Sequence, residues 1–357
     1  MSVIVLSAGG TGGHLFPAQA LAGELARRGR DIVVMTDARF SNYATAFPRA
    51  GIEIVPSSPF NTIAAPFKIA AGIAIAFAKL LKLKPAAVIG FGGYPSVPVM
   101  LAANLARLPT AIIEQNAVVG RANRLVMNQV KVVAAAFPIA RFAPADRSKI
   151  VLTGNPLRPE VEALWGTPYH LPEDGGPLRL LVFGGSQGAR VFSEVVPAAL
   201  TRLPHDMKMR LSVVQQCRPE DIERVAEIYR NAEIRAELQP FFSDLPGRMA
   251  EAQLVIARAG AGTVAELMAI GRPAILVPLP GALDDNQTPN ADILAKAQGG
   301  WRMAQADFGP DSLAQMLIRI FSEPLTLASR AAAAHALATP NAAGKLADVV
   351  ENLARVA

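Results

Sequence analysis

Four times along this chain a short apolar run ends in a glycine cluster that opens into a helix-period segment, and that recurrence confines it to parallel α/β architecture. Val3–Leu6 leads into Gly9-Gly10-Thr11-Gly12-Gly13-His14, and Ala87–Ile89 into Gly90-Phe91-Gly92-Gly93-Tyr94. Arg179–Phe183 leads into Gly184-Gly185-Ser186-Gln187-Gly188, and Leu254–Ala257 into Arg258-Ala259-Gly260-Ala261-Gly262. Glycine lets the backbone approach a ligand closely, and the unpaired N–H groups at the start of the following helix favour an anion. Turn chemistry explains one such loop; several in register with strand ends point to phosphate or sugar contact.

The pattern runs twice. Further strands are expected at Asp31–Met35, Glu53–Val55, Thr110–Ile113 and Val132–Ala135, then at Arg210–Val214 and Ala274–Val277. Helices are expected at Pro17–Arg28, with Pro17 in the first turn, and at Arg190–Leu200, Pro219–Asn231, Thr263–Ile270 and Asn290–Lys296. Between the two runs, residues 153–168 hold three prolines and two glycines and read as a linker. The expectation is two Rossmann-like domains, 1–157 and 158–339, facing across one cleft. A last helix within 340–357 is expected to pack back on the first domain. In such sheets ligands bind beyond the carboxyl ends of the strands.

Charge narrows the partner. The net charge of +6 suits nucleic acid, an acidic membrane surface or a phosphorylated substrate. A single cysteine, Cys217, excludes a disulfide framework or cysteine-based zinc site within the chain. The opening residues have no basic segment, and their apolar run is too short for a secretory signal. No stretch approaches the roughly 20 apolar residues needed to cross a bilayer.

The glycine spacings do not fit the G-x-G-x-x-G fingerprint, and no Walker sequence or D-x-D pair is present. A bound diphosphate would therefore be neutralised by backbone dipoles and arginine, with no metal and no cofactor. Glu266, following Thr263, has two readings: the acid of a capping box, or an acceptor for ribose hydroxyls.

Taken together, GGTGGH (9–14), GFGGYPS (90–96), EQNAVVGRAN (114–123), GNPLR (154–158), GGSQGAR (184–190), RAGAGTVAE (258–266) and DNQTPNA (285–291) resemble the MurG family of peptidoglycan glycosyltransferases, in order and spacing over nearly the whole chain. The resemblance implies a GT-B fold, with a lipid acceptor on the first domain and a UDP-sugar on the second. It implies inverting transfer of N-acetylglucosamine from UDP-N-acetylglucosamine to the 4-hydroxyl of the muramyl sugar of lipid I, giving lipid II. By matched position it implies that Thr11, Gly12, Gly13, Asn116, Arg158, Ser186, Phe242, Ala261, Gly262, Thr263, Val264, Ala265, Glu266 and Gln287 contact the UDP-sugar.

Such a transfer needs a base for the acceptor hydroxyl. His14, with an ordinary pKa of about 6.5, is the leading candidate, against a plain loop histidine bonded to backbone. Glu114 is the rival base, or orients the site. Ser186 and the amides of 185–188 suit the leaving diphosphate. Arg158 either pairs with the pyrophosphate or makes a linker salt bridge. Gln287 and Asn290 either offer amides to sugar hydroxyls or begin a helix. His170, His205 and His335 read as surface or linker residues without metal-ligand spacing.

From Ile54 to Ile113 there is no acidic residue, while Lys68, Lys79, Lys82, Lys84 and Arg107 fall within it. The apolar segment Pro66–Lys84 suits an anionic membrane surface, or else a helix buried against the sheet. The family resemblance favours the first, which places the chain peripherally on the cytoplasmic face of the bacterial inner membrane. Nucleic acid is disfavoured for want of an aromatic stacking platform. A UDP-sugar 2-epimerase of the same fold, and a non-catalytic UDP-sugar-binding scaffold, are the alternatives.

Overall fold

The computed structural model describes residues 3–9, 12–38, 47, 50–59, 65–185, 188–281 and 284–355. The chain forms two compact units, Met1–Pro159 with Thr339–Ala357, and Glu160–Ala338. Each is built on one parallel sheet.

In the first unit the strands are β1 (Val3–Ser7), β2 (Asp31–Thr36), β3 (Gly51–Ile54), β4 (Ala87–Gly90), β5 (Thr110–Glu114), β6 (Val132–Ala135) and β7 (Ile150–Leu152). Their spatial order is β3-β2-β1-β4-β5-β6-β7. The chain builds outward from β1 in one direction, then returns to β1's other side with β4. The order therefore reverses between β1 and β4, the position where α/β sheets open a crevice at their carboxyl ends. The registers Val5↔Val88 and Ser7↔Gly90 align the ends of these two strands. The first two glycine clusters are thus neighbours.

The second unit repeats the plan with β8 (Leu178–Phe183), β9 (Leu211–Gln216), β10 (Arg235–Gln239), β11 (Leu254–Ala257), β12 (Ala274–Leu276) and β13 (Gly300–Arg302). Its order is β10-β9-β8-β11-β12-β13, so the reversal falls between β8 and β11. The other two glycine clusters follow those strands.

Central strands such as Ala87–Gly90 and Leu254–Ala257 are buried throughout, as expected for a sheet covered on both faces. One face of the first sheet packs Leu15, Leu21 and Leu25 of helix Gly12–Arg27 against Leu346, Val350 and Leu353 of the last helix, Ala342–Arg355. Arg28 pairs with Asp348 at 2.6 Å and with Glu351 at 3.0 Å, and Arg30 with Glu351 at 2.8 Å. The other face packs Ala76 and Leu80 of helix Ala65–Leu83 with Val99 and Met100 of helix Ser96–Leu105.

Several expectations change. Helix Gly12–Arg27 begins at Gly12, so Pro17 lies inside it rather than in the first turn. Helix Ala261–Ile270 begins after Gly260, whose extended backbone makes it the N-cap and whose carbonyl accepts Val264 N–H at 3.0 Å. Thr263 is therefore inside the helix, and the capping-box reading of Thr263 and Glu266 is overturned. The stretch read as a linker is not free. Gly166 N–H donates to Ala269 O at 3.0 Å, and the fully buried Arg272 donates to the carbonyls of Thr167 and Pro168 at 3.0 and 3.1 Å. His335 is likewise not a surface residue. It is half-buried, with its ring edge-on to Trp165 at 5.6 Å and Nδ1 3.1 Å from Ala269 O.

Candidate active site

In the first unit the crevice between β1 and β4 is occupied by the His14 ring. Gly92 and Gly93 have φ of +81° and +71°, a region that favours glycine, and a side chain on either would crowd the imidazole. A Cβ on Gly92 would lie 3.4 Å from His14 Cε1, and one on Gly93 3.3 Å from Cδ2 and 3.3 Å from Gly9 O. The two glycines of the second cluster thus make the space in which the histidine of the first cluster sits. His14 starts from the first turn of its helix, which fixes its direction. Burial pushes its pKa below the ordinary value; the Glu114 charge, Gln115 and the Phe91 carbonyl pull the other way but do not win.

Glu114 ends β5 and is 1% exposed. Its Oε1 accepts from Asn116 N–H at 3.0 Å and from Asn116 Nδ2 at 3.3 Å. Oε2 accepts from Gly120 N–H and from Asn123 Nδ2, both at 2.9 Å. The carboxylate therefore holds the 115–123 loop around itself. Asn123 and Gln115, each 3% exposed, complete this frame: Asn123 Nδ2 also bonds Ile113 O, and Gln115 Nε2 donates to Phe91 O, each at 3.0 Å. Arg158, in the segment after β7, lays its guanidinium over the Phe16 ring at 4.8 Å, one helical turn from Gly12. Gly13 is exposed at the helix start. Thr11 lies outside the described residues.

In the second unit the loop after β8 turns so tightly that a Cβ on Gly184 would meet Ala189 N at 2.2 Å. Gln216, at the end of β9, organises it. Its Oε1 accepts Gly184 N–H at 3.0 Å, and its Nε2 donates to Gly185 O at 3.0 Å and Pro240 O at 3.1 Å. That last bond ties in the segment carrying Phe242, which is 5% exposed and lies under Arg248 at 4.5 Å. Ser186 lies outside the described residues.

Across the reversal, helix Ala261–Ile270 presents the N–H groups of Ala261, Gly262 and Thr263 at its first turn, where no i−4 carbonyl is available. Val264 and Ala265 turn their side chains into the core, and Glu266 is half-buried. Gln287 opens helix Gln287–Lys296, and its Oε1 accepts from Ala259 N–H at 3.2 Å and Leu279 N–H at 3.0 Å. Asn290 is fully buried and donates to Ala259 O at 3.1 Å, so its amide holds the loop rather than facing a sugar. Arg258, its pKa lowered by burial, bonds Val277 O at 3.1 Å, Pro278 O at 3.2 Å and Gln305 Oε1 at 2.6 Å.

The structure thus gathers His14, Gly12, Gly13, Glu114, Asn116 and Arg158 at one end of the first sheet. It gathers Gly184–Gly185 and 261–266 with Gln287 at the corresponding end of the second. Gln115, Asn123, Gln216 and Arg258 carry much of this geometry and were not singled out from sequence. For Gln216 the signal was available: two glutamines, Gln215 and Gln216, close a strand whose other residues, Ser212 apart, are apolar.

Helix Ala65–Leu83 buries the stripe Ala65, Gly72, Ala76 and Leu80, packs Ile73, Phe77 and Leu83 partly against the same core, and exposes its opposite face. Phe67 is 80% exposed, Leu81 52% and Ile75 39%, with Lys68, Lys82 and Lys84 exposed beside them. Lys79 pairs with Glu53. No described helix is long and apolar enough to cross a membrane.

Known proteins match this arrangement from end to end. Residues 4–135 match the glycosyltransferase family 28 N-terminal domain, and residues 179–349 the family's C-terminal domain. The UDP-N-acetylglucosamine--N-acetylmuramyl-(pentapeptide) pyrophosphoryl-undecaprenol N-acetylglucosamine transferase of Rhodopseudomonas palustris is 49% identical over 99% of both chains. The transferase of the same name from a Bradyrhizobium species is 50% identical over 98% of this chain and 97% of its own. The crystal structure of Acinetobacter baumannii MurG superposes with a TM-score of 0.83 at 32% identity, covering 99% of this chain and 100% of that one. The chain belongs to glycosyltransferase family 28.

Proposed function

We infer that this chain transfers N-acetylglucosamine from UDP-N-acetylglucosamine to the 4-hydroxyl of the muramyl sugar of undecaprenyl-pyrophosphoryl-linked lipid I, giving lipid II. The observation that carries this reading is near-half identity, over the full length, to transferases named for that donor and acceptor. The paired glycine crevices supply the chemistry. In the second unit, the amides of Ala261, Gly262 and Thr263 and of the loop after Gly184 hold the diphosphate, Glu266 takes the ribose hydroxyls, and Gln287 and Phe242 border the nucleotide sugar. Ser186 and Thr11 belong to the same set by position in their motifs. Charge developing on the leaving diphosphate is met by oriented N–H dipoles, commonly the largest catalytic contribution.

In the first unit His14 accepts the proton of the acceptor hydroxyl as its oxygen bonds the anomeric carbon. The bond from that carbon to the β-phosphate oxygen breaks on the opposite face, and UDP leaves with inversion. A neutral imidazole at cytosolic pH suits this step, and burial favours it. Glu114, with both oxygens engaged, fits the role of holding the loop rather than that of base. Arg158 stands near the helix start as a cation for the pyrophosphate.

The exposed apolar face of helix Ala65–Leu83, flanked by lysines, rests on the cytoplasmic leaflet where the acceptor's polyprenyl chain remains. An apolar face with basic flanks binds an anionic surface, each basic group adding about 1 kcal/mol. The test is transfer from labelled UDP-N-acetylglucosamine to a lipid I analogue by the purified protein. Lipid-dependent formation of the disaccharide product is expected. Intact nucleotide binding without transfer, or release of N-acetylmannosamine, would reject the reading in favour of a scaffold or an epimerase.

A further inference from the structure

Among the described residues, Ser7 Oγ, Thr36 Oγ1, His14 Nδ1 and Gln115 Oε1 are polar atoms buried without a hydrogen-bond partner at or just past the ends of β1, β2 and β5, and Nδ1 of His14 and Oε1 of Gln115 are the pair beside the Phe91–Gly93 segment. They are chemically complementary, since a protonated Nδ1 donates and an amide oxygen accepts. Their side chains are neighbours. Gln115 bonds the Phe91 carbonyl at 3.0 Å, and the residues after Phe91 form the wall against which the His14 ring lies. Gln115 and Phe91 O both act on that ring to favour its charged form. The bond to Phe91 O also fixes the amide. Its NH₂ must face that carbonyl, so its oxygen is the end left to accept.

A buried polar group left unpaired costs about 1–3 kcal/mol, so one bond joining these two atoms removes both deficits. We propose that Gln115 is the positioning residue of His14, its Oε1 accepting Nδ1–H and so leaving Nε2 unprotonated to take the acceptor's proton. The opposite tautomer would set the Nδ1 lone pair against the amide oxygen. Which ring nitrogen carries the proton is set by the bond the other makes. Glu114 is the charged group acting on the ring, but its oxygens are taken by Asn116, Gly120 and Asn123. It stabilises the imidazolium by charge while the neutral Gln115 selects the tautomer. This rests on His14 being the base.

The test uses the full chain labelled with ¹⁵N-histidine, the His14 resonances being identified by their loss in His14→Ala. At pH 8 the wild type is expected to show His14 protonated at Nδ1. Gln115→Met, close in volume, is expected to shift the ring toward the Nε2–H form and to lower kcat about tenfold or more, part of the 10²–10⁴-fold a positioned base supplies. The KM for UDP-N-acetylglucosamine should stay unchanged. Gln115→Glu restores an acceptor, so it should recover the Nδ1–H form and move the acid limb of the kcat profile to higher pH. A wild-type ring protonated at Nε2, or ring signals unaltered in Gln115→Met, overturns the proposal whatever the kinetics. An undiminished kcat in His14→Ala instead overturns the base assignment, and is read independently of the tautomer.

Discussion

The Glu114 carboxylate accepts the backbone N–H of Gly120 at 2.9 Å, closing a loop of buried donors onto one strand end. With Asn116 and Asn123 on the same two oxygens, this is a buried network in which every member depends on the charge at its centre. Glu114→Ala removes four hydrogen bonds to this carboxylate, with Asn123 keeping its bond to Ile113 O, and is expected to destabilise the protein by about 3 kcal/mol or more. Glu114→Gln keeps one acceptor oxygen and should lose less. Chemical denaturation of both variants checks the order; equal stability of Glu114→Ala and wild type would contradict it.

His14→Ala is expected to lower kcat by about 10²–10⁴-fold and leave UDP-N-acetylglucosamine affinity nearly unchanged, as for loss of a base. The pH dependence has a definite sign. Burial lowers the pKa, and the base works when neutral, so the acid limb of kcat should lie below the ordinary histidine value of about 6.5. Stability follows the same group. The unfolded chain takes up its proton first as pH falls through that value, so His14 makes the fold less stable from there down to the folded pKa, and has no effect above it. An acid limb above pH 7 would contradict this.

Much of this was legible from residues alone. The glycine clusters, and the apolar strands before them, marked both sheets and the reversal points, because central strands must be apolar throughout. The three unanticipated strands, β7, β10 and β13, are all sheet edges. Arg235–Gln239 is mostly exposed and polar, and Ile150–Leu152 and Gly300–Arg302 are three residues each, so none carries a strong period. The site was read as ligand contacts. What escaped was the frame beneath it: Gln115, Asn123 and Gln216 are buried amides whose partners are backbone groups distant in sequence, and of the three only Gln216, beside Gln215 at a strand end, carries a local signal.

Phe67 and Leu81 stand in solvent, so replacing both by Ser should leave the melting temperature unchanged within about 2 °C. The same pair should weaken binding to vesicles containing anionic phospholipid by at least about tenfold, since each apolar side chain contributes on the order of 1.5 kcal/mol when buried. Cosedimentation reads the effect. Undiminished binding would place the membrane contact elsewhere.

Glu266 lies six residues into helix Ala261–Ile270, too far along to cap it. With capping excluded, Glu266→Ala is expected to act more on affinity than on stability, weakening UDP-N-acetylglucosamine about tenfold by loss of charge-assisted hydrogen bonds worth about 1.5–3 kcal/mol. Calorimetric titration beside thermal melting separates the two. A large drop in melting temperature with unchanged affinity would assign Glu266 a structural part.

The claim that matters most is that backbone amides at the reversal between β8 and β11 hold the nucleotide diphosphate. Amide hydrogen exchange with and without UDP-N-acetylglucosamine, in EDTA, measures those groups themselves. Protection is expected in peptides spanning 184–190 and 260–264 and not in helix Pro310–Ser322. Protection confined to other segments, or appearing only when a divalent cation is restored, would contradict it.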